Sequence, residues 1–263
     1  MSDLRFYLGT HRPTWLWTIR DVPLFISHRV LRERKSPFPR ATTPWALDSG
    51  GFTELNLFGG WRTTPEEYVA SVRRYADELG RLEWASPQDW MCEPWVVAKT
   101  GLTVAEHQAR TVENYLTLRD LAPDLPFIPV LQGWEMADYH AHADAYAAAG
   151  VDLTTQPVVG IGSVCRRQAT GQIAAIFDSL KGRGLKMHGF GVKTAGLAMY
   201  ADQLVSADSL AWSYAARQDA LRGVRHCSKK TCANCSHFAL AWRERLLRSL
   251  ETRQLNLFGG AVA

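Results

Sequence analysis

The chain has 263 residues, of which 46% are hydrophobic, 21% charged and 11% aromatic. That apolar share excludes a disordered chain and suffices for one large core, or for one domain with a small appendage. No stretch approaches the roughly 20 apolar residues of a membrane span. The formal charge is +4, but it is unevenly spread: residues 224–253 hold seven basic residues against two acidic, and residues 29–40 hold five against one. Two such patches on a mildly acidic body suit a polyanionic partner, or are solvated surface. The segment MSDLRFYLGTHRPTW has no basic region followed by an apolar run. No secretory signal is therefore expected, and the expected location is the cytoplasm.

Eight short apolar runs read as strands: 5–9, 24–28, 45–49, 82–86, 127–133, 158–164, 185–193 and 209–213. The first two are so close that the helix between them is expected to be short or missing. Residues 63–80 open as a helix, with Thr64 as N-cap, Pro65 at the first helical position and Glu67 completing a capping box. Residues 102–122 begin the same way with Thr103 and Glu106, while 135–149 and 168–183 are alanine-rich and amphipathic. Strands alternating with helices give a parallel sheet. Eight such units in roughly 215 residues fit a (β/α)8 TIM barrel near the short end of that fold. Chemistry in such a barrel sits at the C-terminal ends of the strands. Asp48, Asp89, Gln132, Gly162 and Asp208 all fall at or just after predicted strand ends.

From residue 224 the pattern changes. Cys227, Cys232 and Cys235 lie within nine residues, and Cys-x2-Cys with a third cysteine nearby is a zinc signal in a reducing compartment. The fourth ligand is His237 or His226; an adjacent His–Cys pair wraps awkwardly round one ion, which favours His237. A basic amphipathic helix follows, then the end QLNLFGGAVA. The expected organisation is a catalytic barrel over 1–223, a zinc-binding knot plus helix over 224–253, and a flexible tail over 254–263. Gln254–Phe258 looks like the short peptide that docks on bacterial sliding clamps. The hexapeptide LNLFGG occurs at both 55–60 and 255–260, with no wider similarity around it.

The strongest local signal is ALDSGGF (46–52). A carboxylate at a strand end precedes a hydroxyl and two glycines, which permit close approach of backbone N–H groups to a flat ligand. Phe52 can stack on that ligand. DSGGF, together with PVLQG (129–133), VGIGSV (159–164), HGFGVKT (188–194) and SADSLAWS (206–213), resembles in order the motifs of the tRNA-guanine transglycosylase superfamily. Within it the chain is similar to the DpdA-like branch, DNA-modifying relatives of bacteria and phages implicated in placing 7-deazaguanines in DNA.

The resemblance implies a barrel of that type with a structural Zn2+ appendage. It also implies base exchange at an N-glycosidic bond, with DNA and a 7-deazaguanine base as partners, in the cytoplasm of a bacterial or phage-infected cell. By resemblance Asp208 is the nucleophile, forming a covalent glycosyl intermediate, and Asp48 the general acid/base. Asp89 would read the 2-amino and ring N–H edge of a guanine-like base, although its spacing to Pro94 is one residue longer than in the family. Ser49, Gly50 and Gly51 would bring backbone to the base. Gln132 and Gly133 would meet its carbonyl, and the backbone of Gly160, Ile161, Gly162 and Ser163 would read the 7-substituent. Phe52 and Phe190 would sandwich the ring. Arg166 and Arg167 would hold phosphates. Two other readings stay open: a tRNA-modifying enzyme of the same chemistry, and a non-catalytic, zinc-stabilised nucleic-acid-binding protein.

Overall fold

The computed structural model describes residues 4–164, 170–228 and 232–259, apart from the side chains of residues 170 and 253–259. The elements run β1 (Arg5–Thr10), α1 (Trp15–Thr18), β2 (Leu24–Ser27), α2 (His28–Leu31), β3 (Trp45–Asp48), α3 (Gly51–Phe58), α4 (Pro65–Leu79) and β4 (Leu82–Ala85). They continue as α5 (Pro94–Thr100), α6 (Val104–Leu121), β5 (Val130–Leu131), α7 (Met136–Ala148), β6 (Val159–Ile161) and α8 (Thr170–Lys181). The last are β7 (Met187–Gly189), α9 (Thr194–Tyr200), β8 (Ser206–Ser209), α10 (Ala211–Leu221) and α11 (Ser236–Gly259).

The eight strands form one parallel sheet in the order β4-β3-β2-β1-β8-β7-β6-β5. Its edges also meet. Ala85 on β4 bridges Phe127 in parallel; the Ala85 N–H donates to Pro126 O at 3.0 Å and the Ile128 N–H donates to Ala85 O at 3.1 Å. Strand neighbours thus follow chain order round the whole sheet.

Alternation along each strand sorts the side chains into two layers. Phe6, Leu8, Leu24, Ile26, Trp45, Leu47, Val159, Ile161 and Met187 face the helices and share the main core with them. Tyr7, Phe25, Ala46, Trp84 and Ile128 point the other way and cluster together. The sheet is curled tightly enough that Trp84 on β4 and His188 on β7 touch, with ring centroids 4.7 Å apart. The Trp84 indole N–H donates to Tyr7 Oη at 3.0 Å, and Tyr7 donates to Glu83 Oε2 at 2.8 Å. This aromatic layer is the floor beneath the strand ends.

Both expected capping boxes form, on α4 and α6. The first helix is four residues long, as the close strand spacing requires. Three expectations need correction. The run 209–213 is not a strand: β8 lies at 206–209, and Trp212 and Ala216 are buried four residues apart on α10. The expected strand 127–133 shrinks to Val130–Leu131, because Pro126 and Pro129 interrupt it and neither can donate to the ladder. The expected boundary at 253/254 is not a helix end, since α11 continues to Gly259. The backbone of Gln254–Phe258 is therefore helical, and its side chains lie outside those described. The first LNLFGG copy ends α3, where Gly59 takes the left-handed conformation at φ 70°, and the second lies within α11 as far as Gly259. No helix among the described residues is long and apolar enough to cross a membrane.

Thr103 accepts from the Glu106 N–H, and Glu106 reaches back to the Thr103 N–H at 2.7 Å. Thr103→Ala is expected to cost about 1 kcal/mol, measured by urea unfolding, with the fold unchanged by circular dichroism.

Candidate active site

The C-terminal ends of the strands surround a cavity of about 170 Å3. Seven strands supply its walls in chain order: Phe25; Asp48 and Phe52; Ser86, Asp89, Met91 and Glu93; Gln132; Gly162 and Ser163; Phe190 and Gly191; and Asp208. The volume lies well below the roughly 300–1,000 Å3 of drug-sized pockets and suits a single flat heterocycle. Aromatic rings and carboxylates line it together.

The local sequence explains how three acids converge. Asp48 ends β3. Ser49 follows, its N–H donating to Ser86 Oγ at 2.8 Å and its hydroxyl donating to Asp89 Oδ1 at 3.0 Å. Gly50 takes φ 85°, a left-handed conformation that turns the chain into α3. A side chain at Gly51 would place Cβ 3.1 Å from Asp89 O and 3.3 Å from its Oδ1, so α3 starts directly against the second acid. Gln132 Nε2 donates to the other oxygen of Asp89 at 2.5 Å. Ser163 Oγ lies 2.7 Å from Gln132 Oε1 and 2.9 Å from Glu93 Oε2, and accepts from the Cys92 N–H at 3.0 Å. The chain of hydrogen bonds fixes the planes of Asp89 and Gln132. Gly162 makes room for it: a Cβ there would fall 2.2 Å from Gln132 Nε2. Across the cavity, Asp208 Oδ1 accepts from the Gly191 N–H at 2.8 Å and contacts His188 Nε2 at 3.3 Å.

These settings separate the acids electrostatically. Burial raises the pKa of Asp48, opposed by hydrogen bonds from Ser27 and the Gly50 N–H and reinforced by the charge of Asp208. Burial pushes Asp89 up to about 7, with the charge of Asp48 adding to it. Hydrogen bonds from Ser49 and Gln132 work against both effects.

Of the residues expected from sequence, Asp48, Phe52, Asp89, Gln132, Gly162, Ser163, Phe190 and Asp208 line one cavity. Ser49, Gly50 and Gly51 stand immediately behind it. Gly133, Gly160 and Ile161 do not line it. Gly133 is pressed against Asp138 and Tyr139, Gly160 lies under the Phe190 ring, and the Ile161 side chain belongs to the main core. Arg166 and Arg167 lie outside the described residues. Phe25, Ser86, Met91, Glu93 and Gly191 line the cavity without having been singled out. The alternation of LFIS marks Phe25 as facing opposite to Leu24 and Ile26, and a charged Glu93 four residues past Asp89 was a signal of the same kind.

Four of the five basic residues at 29–40 make bonds within the molecule. Arg29 and Arg32 both pair with the buried Glu54. Arg34 donates to the carbonyls of Ser36 and Pro37, and Arg40 to that of Asp77.

Cys227, Cys232 and Cys235 bring their sulfurs within 4.8 Å of one another, with Cys232 and Cys235 buried. Three convergent thiols are a soft donor set that fits a metal ion of the zinc type. Neither candidate histidine belongs to this group. His226 Nε2 bonds Asp219 Oδ2 at 2.8 Å, and His237 is exposed.

Residues 2–258 match the family DpdA, described as DeoxyPurine in DNA protein A. The chain belongs to this family. Comparison with curated proteins gives no match. Among solved structures, a putative isomerase from Sinorhizobium meliloti is similar in two crystal structures, at 12% identity with TM-scores of 0.42 and, in its open-loop conformation, 0.41. Each alignment covers 78% of this chain and 50% of the isomerase, so this DpdA-family chain spans about half the length of that relative.

A raised pKa has a thermodynamic consequence for this DpdA-family protein. Unfolded Asp89 loses its proton near 3.8, whereas the folded group keeps it until about pH 7. Between those values the folded state binds more protons, so its contribution to stability falls as pH rises. Asp89→Asn removes that titration. The difference in Tm between D89N and wild type is expected to grow in favour of D89N from about pH 4 to 7 and then level off, read by thermal unfolding across that range.

Proposed function

We propose that this protein exchanges a guanine in DNA for a 7-deazaguanine of the preQ0 kind, through a covalent aspartyl–glycosyl intermediate on a closed (β/α)8 barrel. The observation that carries this reading is the set of three aspartates, each in a different hydrogen-bond setting, round a cavity sized for one base on a DpdA-family chain. Family membership favours DNA over tRNA as the nucleic acid. It also favours an enzyme over a binding protein.

In this reading Asp208 attacks C1′ of the nucleotide. The Oδ–C1′ bond forms as the C1′–N9 bond breaks, and the electron pair of that bond leaves with guanine. Asp48, whose raised pKa favours the acid form, gives the departing base a proton. It then takes one from the incoming 7-deazaguanine as that base attacks C1′ and releases Asp208. No net charge or oxidation state changes, so no redox cofactor is required. Asp89 as a carboxylate accepts from the ring N–H and 2-amino group that both bases share, while the Gln132 amide lies beside it for the carbonyl. Phe52 and Phe190 offer the ring faces. A target base inside duplex DNA reaches this cavity only by flipping out, at a cost of roughly a few kcal/mol. Zn2+ held by Cys227, Cys232, Cys235 and a fourth ligand would be structural. Arg166 and Arg167, three and four residues after Ser163 in the sequence, would serve the phosphates, and Gln254–Phe258 would be an added contact to a sliding clamp.

The direct test offers labelled guanine with duplex DNA, single-stranded DNA and unmodified tRNA in parallel. Label is expected in DNA; label in tRNA alone would replace the DNA reading with the tRNA one. Asp208→Asn is expected to lower exchange by roughly 10^3-fold or more while DNA binding persists, as for loss of other enzymic nucleophiles. Unimpaired exchange by D208N would remove Asp208 from its role.

The metal assignment has its own measurement. One zinc per chain is expected by elemental analysis. A closed zinc site adds on the order of 10 kcal/mol to folding, so a strong chelator or Cys232→Ser should lower Tm sharply.

A further inference from the structure

We propose that His188 is a positioning residue: it fixes the carboxylate of Asp208 so that Oδ1 is held and Oδ2 is the oxygen that attacks. The inference rests on the base-exchange reading, in which Asp208 is the nucleophile.

His188 lies on β7, paired in register with Ser206 on β8. Both point into the curled sheet, as does Asp208 one pleat further along β8. The ring is fully buried and does not line the cavity. Each of its nitrogens has one partner. Nδ1 lies 2.8 Å from Ser206 Oγ, and Nε2 lies 3.3 Å from Asp208 Oδ1. An ionised carboxylate only accepts, so Nε2 carries the hydrogen. A neutral ring then leaves Nδ1 bare, and the Ser206 hydroxyl donates to it. Asp208 thus sets the tautomer, and the Ser206 hydroxyl, which can donate or accept, satisfies the bare nitrogen and holds the ring in place.

The surroundings keep the ring neutral and still. Trp84, Phe190, Phe25 and Tyr7 enclose it, with centroids 4.7, 4.8, 5.8 and 5.9 Å away. Burial lowers its pKa, outweighing the raising effect of Asp208. Neutrality matters chemically. An imidazolium or guanidinium on the nucleophile would hold its negative charge and slow attack, whereas a neutral N–H orients the carboxylate and withdraws less. The Gly191 N–H donates to the same oxygen at 2.8 Å. Both donors therefore fall on Oδ1, and among the described residues none donates to Oδ2. The carboxylate cannot rotate without breaking both bonds, so one oxygen is kept for C1′.

The first readout needs no activity. Imidazole 15N shifts, assigned by loss of the signal in His188→Phe, should report a protonated Nε2 and a bare Nδ1 from about pH 6 to 8. An imidazolium or an Nδ1–H tautomer there would overturn the inference. The second readout is guanine exchange into DNA. H188F keeps the aromatic volume and loses both polar contacts. Its kcat is expected to fall on the order of 10- to 100-fold, the scale of a misplaced reacting group, with KM for DNA and Tm near those of wild type. His188→Gln, which keeps an N–H at the Nε2 position, should recover part of the rate. Full kcat in H188F, or a loss that follows Tm and is not rescued by H188Q, would overturn the proposal. A wild-type protein with the expected tautomer but no exchange would instead overturn the base-exchange reading and leave the positioning geometry standing.

Discussion

Four carboxylates, Asp48, Asp89, Glu93 and Asp208, share one small cavity, and most of the surrounding structure answers that constraint. Charges brought together in a dry space repel, and each loses hydration. The strand ends respond with donors aimed at single oxygens: Ser49 and Gln132 on the two oxygens of Asp89, Ser27 and the Gly50 N–H on Asp48, and the Gly191 N–H on Asp208. The donors differ in number and kind, so the acids sit in different settings. In the proposed exchange that asymmetry lets one acid give a proton while another attacks, without any residue of unusual chemistry.

The sheet makes this arrangement affordable by dividing labour between its faces. The outward face, with Phe6, Leu8, Trp45 and Met187, is continuous with the helix core and supplies the bulk of apolar burial. The inward face is then free to carry Tyr7, Trp84 and His188, whose polar atoms bond one another or their neighbours on the strands. A layer of rings lies under a layer of acids. The rings are rigid, and they fix the strands at the spacing that brings Asp208 and Asp48 within electrostatic reach.

Much of the fold was legible because it rests on local rules. Thr64 with Glu67 and Thr103 with Glu106 announce helix starts through hydrogen bonds made within four residues. Asp48 and Gln132 were legible as site residues because each is a polar group near the end of an apolar run, Asp89 because it follows one closely, and Asp208 through the motif SADSLAWS. What escaped depends on contacts distant in sequence. His188 sits in the middle of LKMHGFGVK, where its role exists only because β8 places Ser206 and Asp208 beside it. The run 209–213 misled because Leu210, Ala211 and Trp212 are apolar in succession, a pattern that a helix start satisfies as well as a strand does. Gly160 and Gly162 stood out as a glycine-rich loop. Their reason is steric: one passes beneath Phe190 and the other beside the amide of Gln132.

The C-terminal knot is coupled to the site through the strand that carries neither acid. Ser213 on α10 donates to Ala233 O at 2.9 Å, and His11, just past β1, contacts Asn234 between two of the cysteines. From α11, Arg243 donates to Phe6 O at 3.1 Å and Trp242 lies against the Phe6 ring. The knot and its helix therefore grip β1 at both ends. β1 in turn holds β8 in register, with Tyr7 opposite Asp208. A shift of β1 would be felt at Asp208, since neighbouring strands in a sheet are held to one another by hydrogen bonds. The cysteines do not line the cavity, yet their segment and α11 touch the chain at β1, the strand that pairs with β8 and so stands beside Asp208.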